Sequence, residues 1–392
     1  MIVKLLPILG ITFIDILGFS ILIPLMPFFV KKFGASDAIV GAVFATYSLC
    51  QLFAAPLWGN LSDRIGRKWV LIVSQIGATV GWTMLAFAPN IAWVFASRAI
   101  EGLSGGNIGV TQAYVGDLVE PAQRGRAFAY VGAAFSAGFV FGPVAGGYLA
   151  EHYGFAVPFL LAAALQVLTL IVTIAILPDS RGATEEGKNA PTPRDIFRAL
   201  GDRSISPVLW LRLVYCLGMY GWFGAMALVF NRQLGWDVAT LSYVFAGFGV
   251  LQVVMQVALV GKITDVLGNR TATNVGLALC VVAIALVPFS HGWTLAIIGL
   301  VFFGVGMSIE NASYPALASD LSPNDRRGTV LGVVGGLDSL AGFVMPPVTT
   351  AVLGAYGVAP TTAIVVALLA TALAMGVLQA RRAALRQAGA VS

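Results

Sequence analysis

The stretch Gly59-Asn60-Leu61-Ser62-Asp63-Arg64-Ile65-Gly66-Arg67-Lys68 separates two long apolar runs, and Gly261-Lys262-Ile263-Thr264-Asp265-Val266-Leu267-Gly268-Asn269-Arg270 separates two more. Gly59, Asp63 and Gly66 fall on Gly261, Asp265 and Gly268 at one offset of 202 residues. A second set follows at an offset of 203, where Asp117, Arg124, Gly125, Pro143, Tyr153 and Gly154 fall on Asp320, Arg327, Gly328, Pro346, Tyr356 and Gly357. Two copies in the same direction imply two halves related by an axis along the membrane normal, with a binding site near the midplane.

Around these loops the apolar segments run at about 5–30, 37–60, 69–89, 90–116, 127–150, 154–178, 206–231, 238–261, 270–289, 292–319, 329–355 and 359–380. Each meets the ~20 residues that a membrane-crossing helix needs. Of the 392 residues, 58% are hydrophobic and 10% charged, against roughly 25% charged in soluble domains. Mean hydropathy is +0.88. Such a chain could not cover a soluble surface, and it is too apolar for disorder. The expected fold is an all-α membrane protein, with twelve transmembrane helices in two pseudo-symmetric six-helix bundles. The bundles are residues 1–178 and 205–380, with a polar linker at 179–204 and a tail at 381–392.

Charge sets the orientation. With the N-terminus in the cytoplasm, 18 of the 23 Lys and Arg residues lie on the cytoplasmic side and only Lys31, Lys32 and Arg232 lie outside, as the positive-inside rule requires. Both termini are then cytoplasmic, in a cell (inner) membrane. Arg98 and Arg212 fall within spans, and Arg212, early in span seven, is expected to snorkel inward. The net charge of +5 is scattered over short loops, so no nucleic-acid partner is expected. Cys50, Cys216 and Cys280 all lie in apolar runs and suggest neither a disulfide framework nor a metal site. The residues preceding Pro7 lack the cleavage pattern of a signal peptide.

The loop Gly59-x-x-x-Asp63-Arg64-x-Gly66-Arg67-Lys68 resembles the signature loop of the major facilitator superfamily, which lies between spans two and three. The resemblance covers the whole chain, through span count, duplicated loop and central linker. It implies that Gly59, Asp63, Arg64, Gly66, Arg67, Lys68 and the repeated Asp265 form a conformational latch on the inner side. Asp63 is expected at a helix N-terminus, where a carboxylate is favoured by ~0.3–1 kcal/mol. Span five carries Gly138-x-x-x-Gly142-Pro143-x-x-Gly146-Gly147, which resembles the motif of the drug/proton antiporter branch. Glycines four apart share a face and let helices approach closely. In the copy, Met345 stands where the pattern wants glycine.

Span four holds Arg98 and Glu101, three apart and able to meet on one face. Span one holds Asp15, and its opening is similar to that of the tetracycline exporters. Span ten carries Glu310 five residues before Pro315 and span eleven carries Asp338, a pairing that resembles the vesicular amine exchangers. An ionised residue at the bilayer centre costs about 2.5–3.5 kcal/mol. Asp15, Glu101, Glu310 and Asp338 must therefore pair, face water or carry protons. None of the four is duplicated across the repeat, so the shared fold does not demand them. These acids and Arg98 are the expected proton-coupling residues. Spans three and nine lack the acids that tetracycline exporters place there, so the branch is expected without tetracycline as the cargo.

By analogy with the family, spans one, four, seven and ten surround the substrate path. The expected lining residues are Asp15, Gln51, Asn107, Tyr220, Trp222, Gln252, Asn311 and Tyr314. No catalytic constellation, metal-ligand cluster or phosphate-binding loop is visible, so the proton gradient is the expected energy source, with no cofactor. The reading is a non-enzymatic secondary transporter, working as a monomer by alternating access, that exports a small lipophilic or cationic compound. The alternatives are a proton symporter for a small nutrient such as a sugar or organic anion, and a non-transporting sensor or membrane enzyme on the same scaffold.

Overall fold

A computed structural model describes residues 2–105, 110–111, 114–115, 118–119, 123–178, 192–202, 205–321 and 327–389. The helices are α1 (Ile2–Lys31), α2 (Asp37–Ile65), α3 (Arg67–Ala86), α4 (Ile91–Ser104), α5 (Arg124–Tyr153), α6 (Ala156–Ile176), α7 (Pro193–Gly201), α8 (Ser206–Leu234), α9 (Val238–Val254), α10 (Val260–Ala285), α11 (Trp293–Leu321), α12 (Arg327–Tyr356) and α13 (Val358–Gly389). Ten stretches of the described residues are long and apolar enough to cross a membrane, the longest being Val238–Phe289 at 52 residues. A single helix of that length would extend ~78 Å at 1.5 Å per residue, more than twice the ~30 Å of hydrocarbon. It holds two crossings, because Gly268 breaks the helix at φ 74°, ψ 154°. With α4 the architecture is the expected twelve-span one.

The repeat is written in the backbone. Among the described residues, six have positive φ, and all are glycines. They form three pairs at or within one residue of the repeat offset, 201, 202 and 203 residues apart: Gly34 with Gly235 (72° and 69°), Gly66 with Gly268 (101° and 74°), and Gly154 with Gly357 (84° and 86°). Each is a tight connection between spans, in a conformation that a β-carbon disfavours. The basic residues after the duplicated loop also behave alike. Lys68 donates to the Ile174 carbonyl at 2.8 Å, and Arg270 reaches the Gln379 carbonyl at 3.5 Å. Each meets a backbone carbonyl of its own half's last span.

The chain divides into two compact units: Met1–Thr192 with Trp236–Gly249, and Pro193–Gly235 with Val250–Ser392. In the first, the glycines of α5 face α1. A β-carbon at Gly138 would come within 2.9 Å of Ile16, one at Gly142 would collide with Ser20, and one at Gly146 would come within 3.0 Å of Ile21. The gap lets the Ser20 hydroxyl donate to the Gly138 carbonyl at 2.9 Å. Gly147 faces Ser242 at the start of α9 in the same way. In the second unit the small residues have changed sides. Gly221 and Gly224 lie on α8, within 2.9 Å of Thr349 and 2.7 Å of Pro346 on α12 for any β-carbon. Thr349 then donates to the Gly221 carbonyl at 2.8 Å. The Met345 departure therefore marks an exchange of which helix supplies the glycines, and the close approach is kept.

Part of the polar linker is helical. Pro193–Gly201 places Ile196, Ala199 and Leu200 on one buried face, the i, i+3, i+4 spacing of an amphipathic helix. Trp210 and Ser206 both donate to the Leu200 carbonyl, at 3.2 and 2.9 Å, fastening α7 to the start of α8. Linker residues 179–191 and 203–204 lie outside the described residues, as do 390–392 of the tail.

Candidate functional site

The signature loop is a hinge between helices. Asp63 lies in the last turn of α2, where a carboxylate is disfavoured, and not at a helix N-terminus as expected. Its compensation is Arg67 in the first turn of α3, whose Nη1 lies 2.9 Å from Asp63 Oδ1 and donates to the Ser62 hydroxyl at 3.0 Å. Gly66, buried between them, makes the turn. Gly59 and Lys68 are half-buried, and Arg64 and Asp265 are exposed. Pro143 lies inside α5, among the glycines that pack on α1.

In the first unit Arg98 and Glu101 form a buried ion pair on α4, 3% and 7% exposed. The Arg98 guanidinium also donates to Ser97 at 3.3 Å, and Ser97 donates to the Gly81 carbonyl at 3.0 Å. The Trp82 ring lies 5.5 Å from the guanidinium carbon. Asp15, half-buried on α1, accepts from Gln166 Nε2 at 2.8 Å, and Thr169 donates to Gln166 Oε1 at 2.9 Å. The Thr169 hydroxyl thus fixes which end of the amide faces the carboxylate. Gln51 donates to the Tyr47 hydroxyl at 3.3 Å, and Asn107 lies outside the described residues.

In the second unit Glu310 and Asp338 meet, and the residue that joins them is Arg212. Its Nη1 lies 3.4 Å from both oxygens of Glu310. Its Nη2 lies 3.1 and 3.3 Å from those of Asp338. Arg212 is therefore a member of the ionic cluster and not a snorkelling residue, since two carboxylates lie closer than the interface. It sits six residues into α8, with Tyr215 and Cys216 following at the i+3 and i+4 positions of the same face. The Tyr215 and Tyr314 rings lie 5.3 and 5.1 Å from the guanidinium carbon. The Cys216 thiol donates to Asp338 Oδ1 at 2.8 Å, and the Tyr215 hydroxyl hydrogen-bonds Glu310.

The remaining expected lining residues divide. Tyr314 is buried in this cluster, with its hydroxyl donating to the Val208 carbonyl at 3.1 Å. Gln252 accepts from Ser308 at 2.7 Å, beside the π-helical turn Met255–Leu259. Trp222 is buried in an aromatic group with Phe230 and Phe303, at centroid distances of 6.0 and 6.4 Å. Tyr220 is half-buried and Asn311 is exposed. Among the described residues no group of His, Cys, Asp and Glu is arranged to hold a metal ion.

The Major Facilitator Superfamily model matches residues 8–231 and 223–390. The chain is 30% identical over 364 residues to the class C tetracycline resistance protein of Escherichia coli, covering 89% of both chains. It is 26% identical over 351 residues to the quinolone resistance protein NorA of Staphylococcus aureus, again covering 89% of both. Among solved structures, the human organic anion transporter MFSD10 superposes with a TM-score of 0.74 at 22% identity, over 95% of this chain and 98% of that one. That last likeness speaks to the fold alone.

Proposed function

This chain belongs to the Major Facilitator Superfamily, and on that footing we propose that it exports a small drug-like compound, lipophilic or cationic, in exchange for protons. It is a multi-pass membrane transporter and not an enzyme. The observation that carries the export reading is the cluster of two carboxylates around one guanidinium within the spans of the second unit. When both acids are ionised the cluster holds one negative charge more than it neutralises. Such a surplus in a low-dielectric setting calls for a proton or a cation. A carboxylate that accepts either one, but not both together, couples the two fluxes. The resistance proteins that the chain resembles, and the Gly138–Gly147 string packed on α1, favour the direction outward for the cargo.

In this scheme the cargo enters from the cytoplasm and displaces a proton from the acids. The site is then exposed to the other side, the cargo leaves, and outside protons reload the carboxylates. Glu101, paired with Arg98, and Asp15 are the intramembrane acids of the first unit. The chain acts as a monomer in the cell membrane with both termini cytoplasmic, and the proton gradient is the energy source. An organic-anion symporter would want an unneutralised cation in the membrane. Both intramembrane arginines are instead paired with carboxylates, which disfavours that reading.

The test is efflux from proteoliposomes driven by an imposed pH gradient, with a tetracycline, a quinolone and a permanent organic cation as cargoes. The wild type exports at least one of them, and a Glu310→Gln plus Asp338→Asn variant exports none while remaining folded. Unchanged gradient-driven efflux by that variant defeats the assignment.

A further inference from the structure

The three charges of the second unit are not equally accessible. The Glu310 side chain is 0% exposed, Arg212 is 14% and Asp338 is 28%. Their bonding is unequal as well. Arg212 has partners besides Asp338: both oxygens of Glu310 at 3.4 Å, and the rings of Tyr215 and Tyr314 at 5.3 and 5.1 Å. Asp338 has a partner besides Arg212, the Cys216 thiol at 2.8 Å. Breaking the Arg212–Asp338 contact therefore leaves neither group orphaned. Breaking the Arg212–Glu310 contact leaves a carboxylate with no exposure and, among the described residues, only the Tyr215 hydroxyl. An unpaired buried charge of that kind is strongly destabilising. The link to Asp338 is the replaceable one.

We infer that Arg212 is a tethered competitor for the cargo: the substrate is an organic cation whose charged group displaces the guanidinium from Asp338, while Glu310 and the two tyrosine rings retain Arg212. The inference rests on the export reading above and adds the charge of the substrate and the carboxylate that takes it. The groups facing the exchange are Arg212, Tyr215 and Cys216 on α8, Glu310 and Tyr314 on α11, and Asp338 on α12, with Cys280 of α10 beside Glu310. Within this set the guanidinium is the one fixed cation, so a second cation has one place to go. Asp338 is also where the cluster is open. The two Nη atoms divide the work, since each faces a different carboxylate. A swing of the outer Nη2 away from Asp338 leaves the inner pair with Glu310 in place.

The experiment is equilibrium binding of tetraphenylphosphonium to the purified full chain in detergent, at alkaline pH so that protons do not compete. This probe is a permanent cation with no proton to give. The double variant Arg212→Gln plus Glu310→Gln removes one positive and one negative charge together and leaves Asp338 without its resident cation. It is expected to bind the probe about tenfold more tightly than the wild type, as close charge pairs couple strongly. Asp338→Asn is expected to lose binding in both backgrounds. Glu310→Gln alone turns the guanidinium wholly to Asp338 and is expected to weaken binding, which gives a second reading if the double variant does not fold. Binding by a folded double variant no tighter than wild type overturns the inference. So does unaltered binding by Asp338→Asn, or by Glu310→Gln. Gradient-driven efflux by the wild type reports separately on the export reading. A wild type that exports while these variants bind the probe unchanged sinks only the competitor role. A wild type that binds the probe as described and exports nothing sinks only the export reading.

Discussion

Gly81 on α3 stands directly over the Glu101 side chain on α4, so that a β-carbon there would lie 3.1 Å from Oε1 and 3.2 Å from Cδ and would collide with Cγ. The ion pair with Arg98 fits because this position carries no side chain. Gly81→Ala is therefore expected to destabilise the first unit by about 1–3 kcal/mol, the usual effect of overpacking. It would be read as a lowered unfolding temperature in detergent. Adding Glu101→Asp, which shortens the clashing side chain, restores most of the loss. Equal stability of Gly81→Ala and wild type would show that the carboxylate has another place to go.

Arg98 and Glu101 are 3% and 7% exposed, so removing one partner strands the other. Arg98→Met alone is expected to cost about 3–5 kcal/mol, and the paired change Arg98→Met plus Glu101→Met considerably less, because no charge is left behind. Thermal unfolding of the three proteins separates a stabilising pair from a functional one. If the double variant is as stable as wild type and has lost efflux, the pair serves transport.

The glycine exchange between repeats makes a paired prediction. Gly142→Val on α5 and Gly221→Val on α8 are both expected to abolish monodisperse expression, since each forces a branched side chain into a helix seam. Met345→Gly, which restores the missing pattern, is expected to bring no gain, because Gly221 already supplies the space. Gel-filtration profiles of tagged variants check all three.

Asp237 opens α9 by accepting from the Thr240 amide at 2.9 Å. Its hydrogen bonds to Thr240, side chain first and then backbone, hold its carboxyl below the usual carboxylate range. A depressed carboxyl stabilises the fold above its unfolded pKa of about 3.9 and loses that contribution as pH falls through the lower folded value. Asp237→Ala should lower stability by about 0.5–2 kcal/mol at neutral pH, as for other helix caps. The difference should vanish in strong acid, as followed by thermal unfolding across pH.

The fold was legible because its signals are long-range and repetitive. A 202–203 residue offset, visible in a handful of glycines, acids and prolines, reappears in three pairs of positive-φ glycines spaced 201, 202 and 203 residues apart. Bundle architecture follows from apolar length, which a bilayer enforces on every span alike. The carboxylates were legible as well, because a lone acid in an apolar run is conspicuous. What joins them was not. Arg212 lies near the edge of its span, where a long basic side chain can reach water. Only the packing of α8, α11 and α12 shows that Glu310 and Asp338 are nearer. Cys216 and Gln166 carry no charge and were silent until their partners were placed. The linker helix Pro193–Gly201 was hidden by its polar surroundings, although Ile196, Ala199 and Leu200 already had helical spacing.

The central claim is that protons move against the cargo. The most direct measurement is lumenal pH in everted membrane vesicles, energised to an acid interior, when a transported cation is added. Exchange predicts that the lumen becomes more alkaline as protons leave and cargo enters, and that the response is absent with Asp338→Asn. Further acidification of the lumen on adding cargo, or no change while the cargo demonstrably enters, would contradict the account.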